Sequence, residues 1–417
     1  MSKATAAATH SAARLMMIVF VPFALGHFLS TAYRALNAML GSTLQADLAI
    51  SASELGLLTS AFFLAFALAQ LPVGLLLDRY GPRRVEASLL LVAGLGSLLF
   101  ALGESLATLT LGRALAGMGM ASCLMASFKA FSLWFGPQRL SLLNGYLMAI
   151  GGLGMMSASA PVELFISHAS WRSLFLLLAV ACVLMALLLW WVVPEKPSES
   201  RGETLGQQVR ALSRLLAGQH FWMVAPAAFT AHALSLAVQG LWVGLWFRDV
   251  GGLSRAEVGT HLLWVAVALT AGFAAWATLA DRLRARIPPL WISAAGLSGF
   301  CLMNLLVAWQ PAEHHLLLWM LYTFLGASGT LFYSGLVGLH EPALAGRVNT
   351  ALNLVVFAGA FVLQWGIGVV VEAWSIPGEA LSPVGYQVAF GSLAGLQLLS
   401  LLWLVRGLRQ TPGGVSR

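Results

Sequence analysis

The chain has 417 residues, of which 59% are hydrophobic and only 9% charged, with a formal net charge of +7. Soluble domains carry about 25% charged residues, and no soluble fold of this length hides so much apolar surface. The composition therefore excludes a soluble globular protein. Repeated apolar runs of about 20 residues, each long enough to cross a hydrocarbon core about 30 Å thick, indicate a membrane protein with many spans.

Twelve apolar runs are predicted to cross the membrane as helices, and we number them spans 1 to 12. The polar connector between the sixth and seventh, 194–219, contains LGQQVRALSRLL, which is predicted to form a short amphipathic helix on the membrane surface. We expect an N-terminal six-helix unit, 1–193, and a C-terminal one, 220–417. The runs lie at 15–40, 54–77, 86–104, 107–135, 141–165, 172–193, 220–246, 257–280, 288–309, 315–338, 348–371 and 385–405.

Basic residues concentrate in alternate loops, which is the positive-inside pattern of membrane proteins. The excess of base over acid therefore indicates an orientation in the membrane and not nucleic-acid binding. We expect both termini and the connector to be cytoplasmic, and the preference for Arg over Lys favours a bacterial inner membrane. The basic loops contain Arg79, Arg83, Arg84, Arg139, Lys196, Arg201, Arg210, Arg214, Arg282, Arg284, Arg286, Arg347, Arg406 and Arg409, and the opposite loops contain Asp47, Glu104, Glu313 and Glu379.

An internal repeat relates the two halves of the chain. Three sets of polar residues recur in register: in spans 1 and 7, after spans 2 and 8, and in spans 5 and 11. Such a repeat predicts two six-helix halves with the same internal order. The matched residues are His27 and Ser30 with His232 and Ser235, Asp78 with Asp281, and Asn144 and Glu163 with Asn353 and Glu372.

The loop after span 2 reads GLLLDRYGPRRV. It resembles the loop motif of the major facilitator superfamily, Gly-x-x-x-Asp-Arg-x-Gly-x-Arg-Arg, and lies where that family places it. LADRLRARI, between spans 8 and 9, resembles a degraded copy, and GRALAGMGMA in span 4 resembles the family's Arg-x-x-x-Gly-x-Gly element. The resemblance implies an all-α membrane protein with twelve transmembrane helices in two pseudo-symmetric six-helix bundles around a central cavity, which opens to each side in turn.

The same resemblance implies a gating role for the loop motif. In that family the motif's Asp helps to hold the cytoplasmic side closed. Asp78, at a helix end, can hold nearby arginines and face the positive N-terminal dipole of a helix from the other half. We therefore assign this group to gating and not to substrate contact. The predicted gating residues are Gly74, Asp78, Arg79, Gly81, Arg83, Arg84, Arg113, Asp281 and Arg282.

Polar side chains interrupt the apolar runs of spans 1 and 7. Ionisable groups within a membrane are expensive, so each is a candidate functional residue. Helical spacing puts four polar residues of span 1 on one face, within about 80° of one another, and span 7 carries a corresponding face. Spans 1 and 7 line the central cavity in the resembled family, which implies contact with water or substrate. The two faces are His27, Ser30, Arg34 and Asn37, and His232, Ser235, Gln239 and Trp242.

Two basic residues favour an anionic substrate. AYRALN, around Arg34, resembles the first-span element of organic-anion and organophosphate carriers, where an arginine after a tyrosine faces the cavity. Lys129, late in span 4, lies where some of those carriers also place a base. The alternatives are snorkelling of Arg34 to the outer surface, anchoring of Lys129 at the cytoplasmic end, and structural hydrogen bonds for the two histidines. The predicted substrate-binding residues are His27, Ser30, Arg34, Asn37, Lys129, His232, Gln239 and Trp242.

These features predict a secondary active transporter that moves a small organic anion by alternating access. Glu163 in span 5 is a candidate for proton coupling, with an outer-side gate or a satisfied helix end as its alternative. Export of a drug-like or amphipathic compound is the alternative function. A cationic drug would require an acid in span 1 or 4, where the chain has bases. A transporter-like solute sensor is the third alternative.

Other chemistries lack their sequence signals. The chain has no paired catalytic acids, no zinc-ligand spacing and no nucleophile elbow, so we expect no enzyme activity, no metal and no cofactor. The expected partners are a small-molecule substrate and the lipid bilayer, without nucleic acid, and we expect a monomer.

Overall fold

The computed structural model describes residues 12–196, 205–309, 314–341, 344–376 and 381–410, and within these ranges the chain forms helices and no strands. Twelve helices there are long and apolar enough to cross a membrane, so the twelve predicted spans are confirmed. Arg201, Glu313 and Glu379 lie outside the described residues. The spans are Ala13–Leu48, Ala52–Tyr80, Pro82–Leu102, Leu106–Trp134, Pro137–Ile166, Trp171–Val192, Gln219–Asp249, Arg255–Leu283, Pro289–Trp309, His315–Val337, Ala345–Ala373 and Pro383–Gln410.

We name the two membrane sides by what lies on them. The terminal side holds residues 12 and 410, which an even number of spans puts together, and also the loop after span 2. The opposite side is the far side. The connector stretch predicted to be helical is a helix, Leu205–Leu216, which begins and ends on the terminal side and buries Leu212 and Leu215.

Matched capping boxes begin spans 2 and 8 on the far side. The Ser51 hydroxyl accepts from the Glu54 N–H at 3.2 Å, and the Glu54 carboxylate accepts from the Ser51 N–H at 2.9 Å. Ser254 and Glu257 make the same two bonds at the start of span 8. Each box satisfies two N–H groups that a helix start leaves unpaired, which stabilises the helix by about 1 kcal/mol. The internal repeat therefore extends to the helix ends.

Three spans are irregular near mid-membrane. Span 4 breaks at Ala121 and Ser122, and span 10 contains a 3₁₀ turn, Ala327–Thr330. Span 7 contains two π-helical turns, Phe229–Ala233 and Val238–Trp242. Irregular turns of this kind are frequent at functional sites. The two π-helical turns contain His232, Gln239 and Trp242 of the predicted polar face, so these three residues lie on backbone that departs from a regular α-helix.

The two halves pack tightly on the far side. Gly56 of span 2 lies so close to span 11 that a side chain there would begin 3.1 Å from the Gln364 carbonyl oxygen. Gly368 of span 11 lies equally close to the start of span 2, and Gly244 of span 7 lies against the Ala38 backbone of span 1. Glycine permits such close approach between membrane helices. Spans 1, 2, 7 and 11 therefore close the far side.

Gly74 and Gly346, near the terminal-side ends of spans 2 and 11, differ from the far-side glycines. Gly74 lies on the same face of span 2 as Gly56, because about five whole helical turns separate them. Nevertheless, no atom of the described residues lies within 4 Å of where a Gly74 side chain would begin, and the same is true of Gly346 at the start of span 11. Close packing between spans 2 and 11 is therefore found at the far-side glycines and not at Gly74 or Gly346.

Candidate functional site

Arg34 lies near the middle of span 1 with a half-buried side chain. Within the described part of the chain, no oxygen accepts a hydrogen bond from its guanidinium and no carboxylate pairs with it. Its charge acts on His27 of the same span and on two residues of the other half, His232 and Tyr333. The polar face predicted for span 1 therefore includes a charge that faces the second half.

His232 faces Arg34 from a π-helical turn of span 7. Its ring stands edge-on to the Tyr333 ring, with the ring centroids 5.8 Å apart, and the Tyr333 hydroxyl donates to Asn353 Oδ1 at 2.6 Å. Span 10 approaches span 7 this closely because residue 329 is glycine. A side chain on Gly329 would begin 2.9 Å from the backbone nitrogen of His232. Tyr333 was not predicted, since nothing in its local sequence sets it apart from an ordinary buried aromatic residue.

His27 is the counterpart of His232 in the first half. Its side chain is buried, and its Nδ1 has no hydrogen-bond partner among the described residues. Gly151 of span 5 packs against the other ring nitrogen, since a side chain there would begin 2.6 Å from Nε2. This imidazole therefore has a buried hydrogen-bonding position that no described residue fills. We name the polar group between the halves the central cluster: His27, Arg34, His232, Tyr333 and Asn353.

Two other predicted residues form hydrogen bonds within their own half. Ser30 donates to the Met120 carbonyl oxygen at 3.3 Å, beside the break in span 4. Gln239 donates to the Ser235 hydroxyl at 2.6 Å and borders a small surface depression between spans 1, 5, 7 and 8. Substrate contact by these residues stays a prediction.

The last residues of the two polar faces lie toward the far side. The Trp242 indole N–H donates to the Gln364 carbonyl oxygen at 2.9 Å and so ties span 7 to span 11. Asn37 is buried, and its side-chain oxygen has no partner among the described residues. Asn37 therefore resembles His27 of the central cluster in having an unpartnered polar atom, whereas the Trp242 indole is already hydrogen-bonded. Substrate contact stays a prediction for both Asn37 and Trp242.

Lys129 lies with the loop motif and not with the central cluster. Its ammonium group pairs with the Asp78 carboxylate at 2.8 Å, and both side chains are partly exposed. Span 4 ends at Trp134 on the terminal side, so a lysine little more than one turn before that end reaches the carboxylate at the end of span 2. Such a contact is expected of an end anchor, the alternative to substrate binding, and both roles stay predictions.

Other residues of the loop motif fasten the loop to the end of span 6. Arg83 donates to the Trp190 carbonyl oxygen and lies 5.5 Å from the centroid of that ring. Arg84 pairs with Glu195 at 2.6 Å. Gly81 has a φ of 79°, a left-handed conformation that glycine adopts without steric cost. The motif's spacing thus produces a tight turn whose arginines bind the first half.

The remaining predicted gating residues lie apart from the Asp78 pair. Arg79 lies over the ring of the next residue. Arg113 is buried among three phenylalanine rings of spans 2, 3 and 6, whose centroids lie 5.3 to 6.0 Å from its guanidinium carbon. Asp281 pairs with Arg284 at 3.5 Å on the exposed surface, next to the exposed Arg282. A gating role for these residues stays a prediction.

Two equivalent glutamates cross between the halves on the far side. Glu163, at the end of span 5, pairs with Arg255 at the start of span 8 at 3.6 Å. Glu372, its counterpart at the end of span 11, accepts from the Ser53 N–H at the start of span 2 at 2.8 Å. We call these two contacts the far-side latches. Their position is that of the outer-side gate, which was the alternative to proton coupling for Glu163.

Twelve spans in two repeated halves, with polar residues of both halves meeting at mid-membrane, define a multi-pass carrier of solutes. A family model described as Major Facilitator Superfamily matches residues 23–364. The chain belongs to this superfamily, as the loop motif predicted.

The relatives whose names give a substrate are distant. The chain is 21% identical over 382 residues to the probable sulfoacetate transporter SauU of Cupriavidus necator, covering 85% of this chain and 87% of that one. It is 29% identical over 152 residues to the probable L-galactonate transporter of Escherichia coli, but the match covers only 35% of this chain and 32% of that one. Among solved structures, a D-xylose-proton symporter superposes with a TM-score of 0.76 at 15% identity over 96% and 99% of the two chains. That likeness shows the fold alone.

Proposed function

We propose that this chain is a secondary active transporter for a small organic anion, which binds Arg34 between the two halves. The observation that carries the proposal is a half-buried guanidinium at mid-membrane with no ion-pair partner among the described residues. A charge inside a membrane is expensive unless another charge compensates it. An anionic solute supplies that charge, and a guanidinium binds carboxylate or phosphate oxygens through two parallel hydrogen bonds.

The rest of the central cluster suits the uncharged part of such a solute. The Tyr333 hydroxyl donates to Asn353, which leaves its oxygen as an acceptor for a solute hydroxyl. His27 has an unpartnered ring nitrogen, and His232 presents a second imidazole from the other half. A hydroxylated or otherwise polar acid would therefore contact Arg34 with its anionic end and residues of both halves with the remainder.

The relatives support the class of solute. Sulfoacetate and L-galactonate are both small organic anions, and the sulfoacetate relative matches most of the chain. A cationic drug is disfavoured because the described charge nearest the site centre is Arg34, which would repel it.

The difference between the two sides supports alternating access. With the far side closed, the anion reaches Arg34 from the terminal side, which we propose to be the cytoplasmic side of a bacterial inner membrane. Opening of the far-side latches and closure of spans 2 and 11 over Gly74 would then expose it to the far side. In this scheme the loop motif controls terminal-side closure. Glu163, paired with Arg255, acts as a latch, and proton coupling requires another group.

Ligand-induced thermal stabilisation of the purified protein tests the proposal. The panel is sulfoacetate, L-galactonate and glycerol 3-phosphate as anions, D-xylose as a neutral solute and tetraphenylphosphonium as a cation. We expect at least one anion to stabilise the wild type, and neither the neutral solute nor the cation to do so. Saturation at 100 times Kd corresponds to about 2.7 kcal/mol of added stability.

Variants then locate the contact. Arg34→Ala should weaken binding of the stabilising anion by about 2–5 kcal/mol, because the bound charge loses its partner. Arg34→Lys keeps the charge without the planar fork and should lie between Arg34→Ala and the wild type. Arg214→Ala, on the exposed face of the connector helix, is the matched control and should bind normally. Undiminished affinity in a folded Arg34→Ala protein, or stabilisation by the cation alone, would contradict the proposal.

A further inference from the structure

Glu86 is a buried carboxyl group with no cationic partner among the described residues. It lies in the first turns of span 3, and its relative exposure is 0%. Neither carboxyl oxygen has a hydrogen-bond partner among the described residues. The sequence pattern did not single it out, because a glutamate at the edge of an apolar run resembles an ordinary helix-end charge. The structure instead puts it inside the first bundle.

The surroundings of Glu86 offer no cation within the described chain. From span 1, the Gly26 backbone lies directly against the carboxyl, leaving no room for a side chain at that residue. From span 4, the Cys123 thiol faces it and is the one described titratable group that interacts with it. The nearest arginines along the chain are engaged elsewhere: Arg83 binds the Trp190 carbonyl and Arg84 pairs with Glu195.

An ionised carboxylate in this position would be costly. Burial of a charge without a compensating partner costs several kcal/mol, and a neutral acid avoids most of that cost by holding a proton. Glu163 and Glu372 differ, because each already has a donor or a cation on the far side. Glu86 is therefore the described carboxyl group best placed to carry a proton.

Two contacts connect Glu86 to the central cluster. Gly26, which contacts the carboxyl, directly precedes His27 in span 1. The Cys123 thiol interacts electrostatically with both the Glu86 carboxyl and the Arg34 guanidinium, so both groups are near it. A nearby positive charge favours the ionised form of a carboxyl group, and an anion bound at Arg34 would offset the charge of the guanidinium. Bound anion therefore favours bound proton, and by linkage the proton favours the anion equally.

We propose that Glu86 is a proton-binding residue whose proton travels with the anion bound at Arg34. The carboxylate takes the proton from water on one side and returns it to water on the other, and no bond of the solute changes. The proposal rests on the proposed function, since it uses the anion site as its partner.

Infrared difference spectroscopy of the purified protein tests the proton itself. At about pH 8 exposed carboxyl groups are ionised, so a protonated-carboxyl C=O band that shifts in D₂O reports a buried acid. We expect this band in the wild type and in Glu104→Gln, an exposed control, and its loss in Glu86→Gln. Persistence of the band in Glu86→Gln, or its absence from the wild type, would overturn the proposal.

Transport in proteoliposomes tests the coupling. With a stabilising anion from the panel, an imposed pH gradient should drive accumulation in the wild type and in Glu104→Gln. Glu86→Gln, which mimics the neutral acid, should lose gradient-driven accumulation and keep exchange of labelled for unlabelled anion. Exchange also shows that the variant is folded. Gradient-driven accumulation by Glu86→Gln at the wild-type level would overturn the proposal.

A second variant keeps the test decisive if Glu86→Gln fails to fold. Gly26→Ala would push the carboxyl from its position, because a methyl group there overlaps the Glu86 oxygen. We expect the infrared band to shift in Gly26→Ala and to stay in place in Gly366→Ala, which has open space around it. An unshifted band in Gly26→Ala would assign the proton to another residue. If no anion in the panel binds the wild type, the proposed function is wrong, whereas the infrared arm still decides whether Glu86 holds a proton.

Discussion

The two ends of the molecule are held together in different ways. On the far side, contacts join one half to the other: Glu163 to Arg255, Glu372 to the start of span 2, and Gly244 to span 1. On the terminal side, the ion pairs of the loop motif, such as that of Asp78, join residues of the first half to one another. The far side therefore holds the halves together, while the terminal side stiffens one half as a unit. A rocking motion requires halves that move as rigid units and contacts between the halves that can separate.

Thiol labelling would establish which side of the cell each end faces, and its effect is all-or-none. Ser213→Cys lies on the connector helix and Ser167→Cys in the far-side loop after span 5; both positions are exposed, whereas the three native cysteines are buried. In intact cells an impermeant maleimide should label only residue 167, and residue 213 should react after permeabilisation. The opposite pattern would invert the proposed orientation.

The glycine contact between spans 1 and 7 should give the largest effect on transport. Gly244→Ala inserts a methyl group against the Ala38 carbonyl oxygen. Overpacking of this kind costs about 1–3 kcal/mol, so the population of the far-closed state should fall about 5- to 150-fold. Initial uptake rates and far-side accessibility measure this. Gly366→Ala, which meets open space, is the control, and equal behaviour of the two variants would show that the halves do not close through this contact.

Asp78→Asn should have a smaller effect, confined to rate. The substitution removes the pair with Lys129, and partly exposed pairs contribute up to about 1 kcal/mol. We expect transport to slow several-fold, with anion affinity in detergent unchanged within a few-fold, because the contact lies away from the central cluster. Lys129→Ala should match it if Lys129 is an anchor. Loss of affinity in Lys129→Ala alone would return that lysine to the substrate site.

The smallest expected effect belongs to the far-side latches. Glu163→Gln removes an ion pair with Arg255 that is partly exposed, so a change of about two- to threefold in the conformational equilibrium is expected, and high salt should reduce it. Glu372→Gln keeps an oxygen that can accept from Ser53 and should change less. The ratio of terminal-side to far-side labelling would measure the conformational equilibrium in both variants. An abolished pH-gradient response in Glu163→Gln would instead make Glu163 the coupling residue.

Sequence patterns predicted more of the fold than of the site. Hydropathy located all twelve spans because each residue that contacts lipid must itself be apolar. It ended span 1 too early, since the polar stretch GSTLQADL continues the helix to Leu48, where Ala49 adopts a left-handed conformation. Periodicity placed Arg34 on a polar face. It could not show which helix that face meets, since Tyr333 reaches the cluster only through the close approach of span 10 at Gly329.

The same limit explains two surprises. Lys129 pairs with Asp78 across two different spans, a contact that no local spacing records. Glu86 is conspicuous only through burial and the absence of a partner within the described chain. Both properties depend on three-dimensional packing, and helix-end charges look alike in one dimension.

The π-helical turns of span 7 should affect the rate of amide hydrogen exchange and the direction in which their side chains point. A wider turn leaves its carbonyl groups more weakly bonded, so amides at 229–242 should exchange with solvent deuterium faster than those in the regular α-helix of span 1. Moving a π turn by one residue rotates a side chain by about 100° without unfolding the helix. The backbone that carries His232 can therefore change its helical register, whereas Arg34 lies on a regular α-helix. The second half can thus adapt to the shape of a solute whose charged group binds Arg34 in the first half.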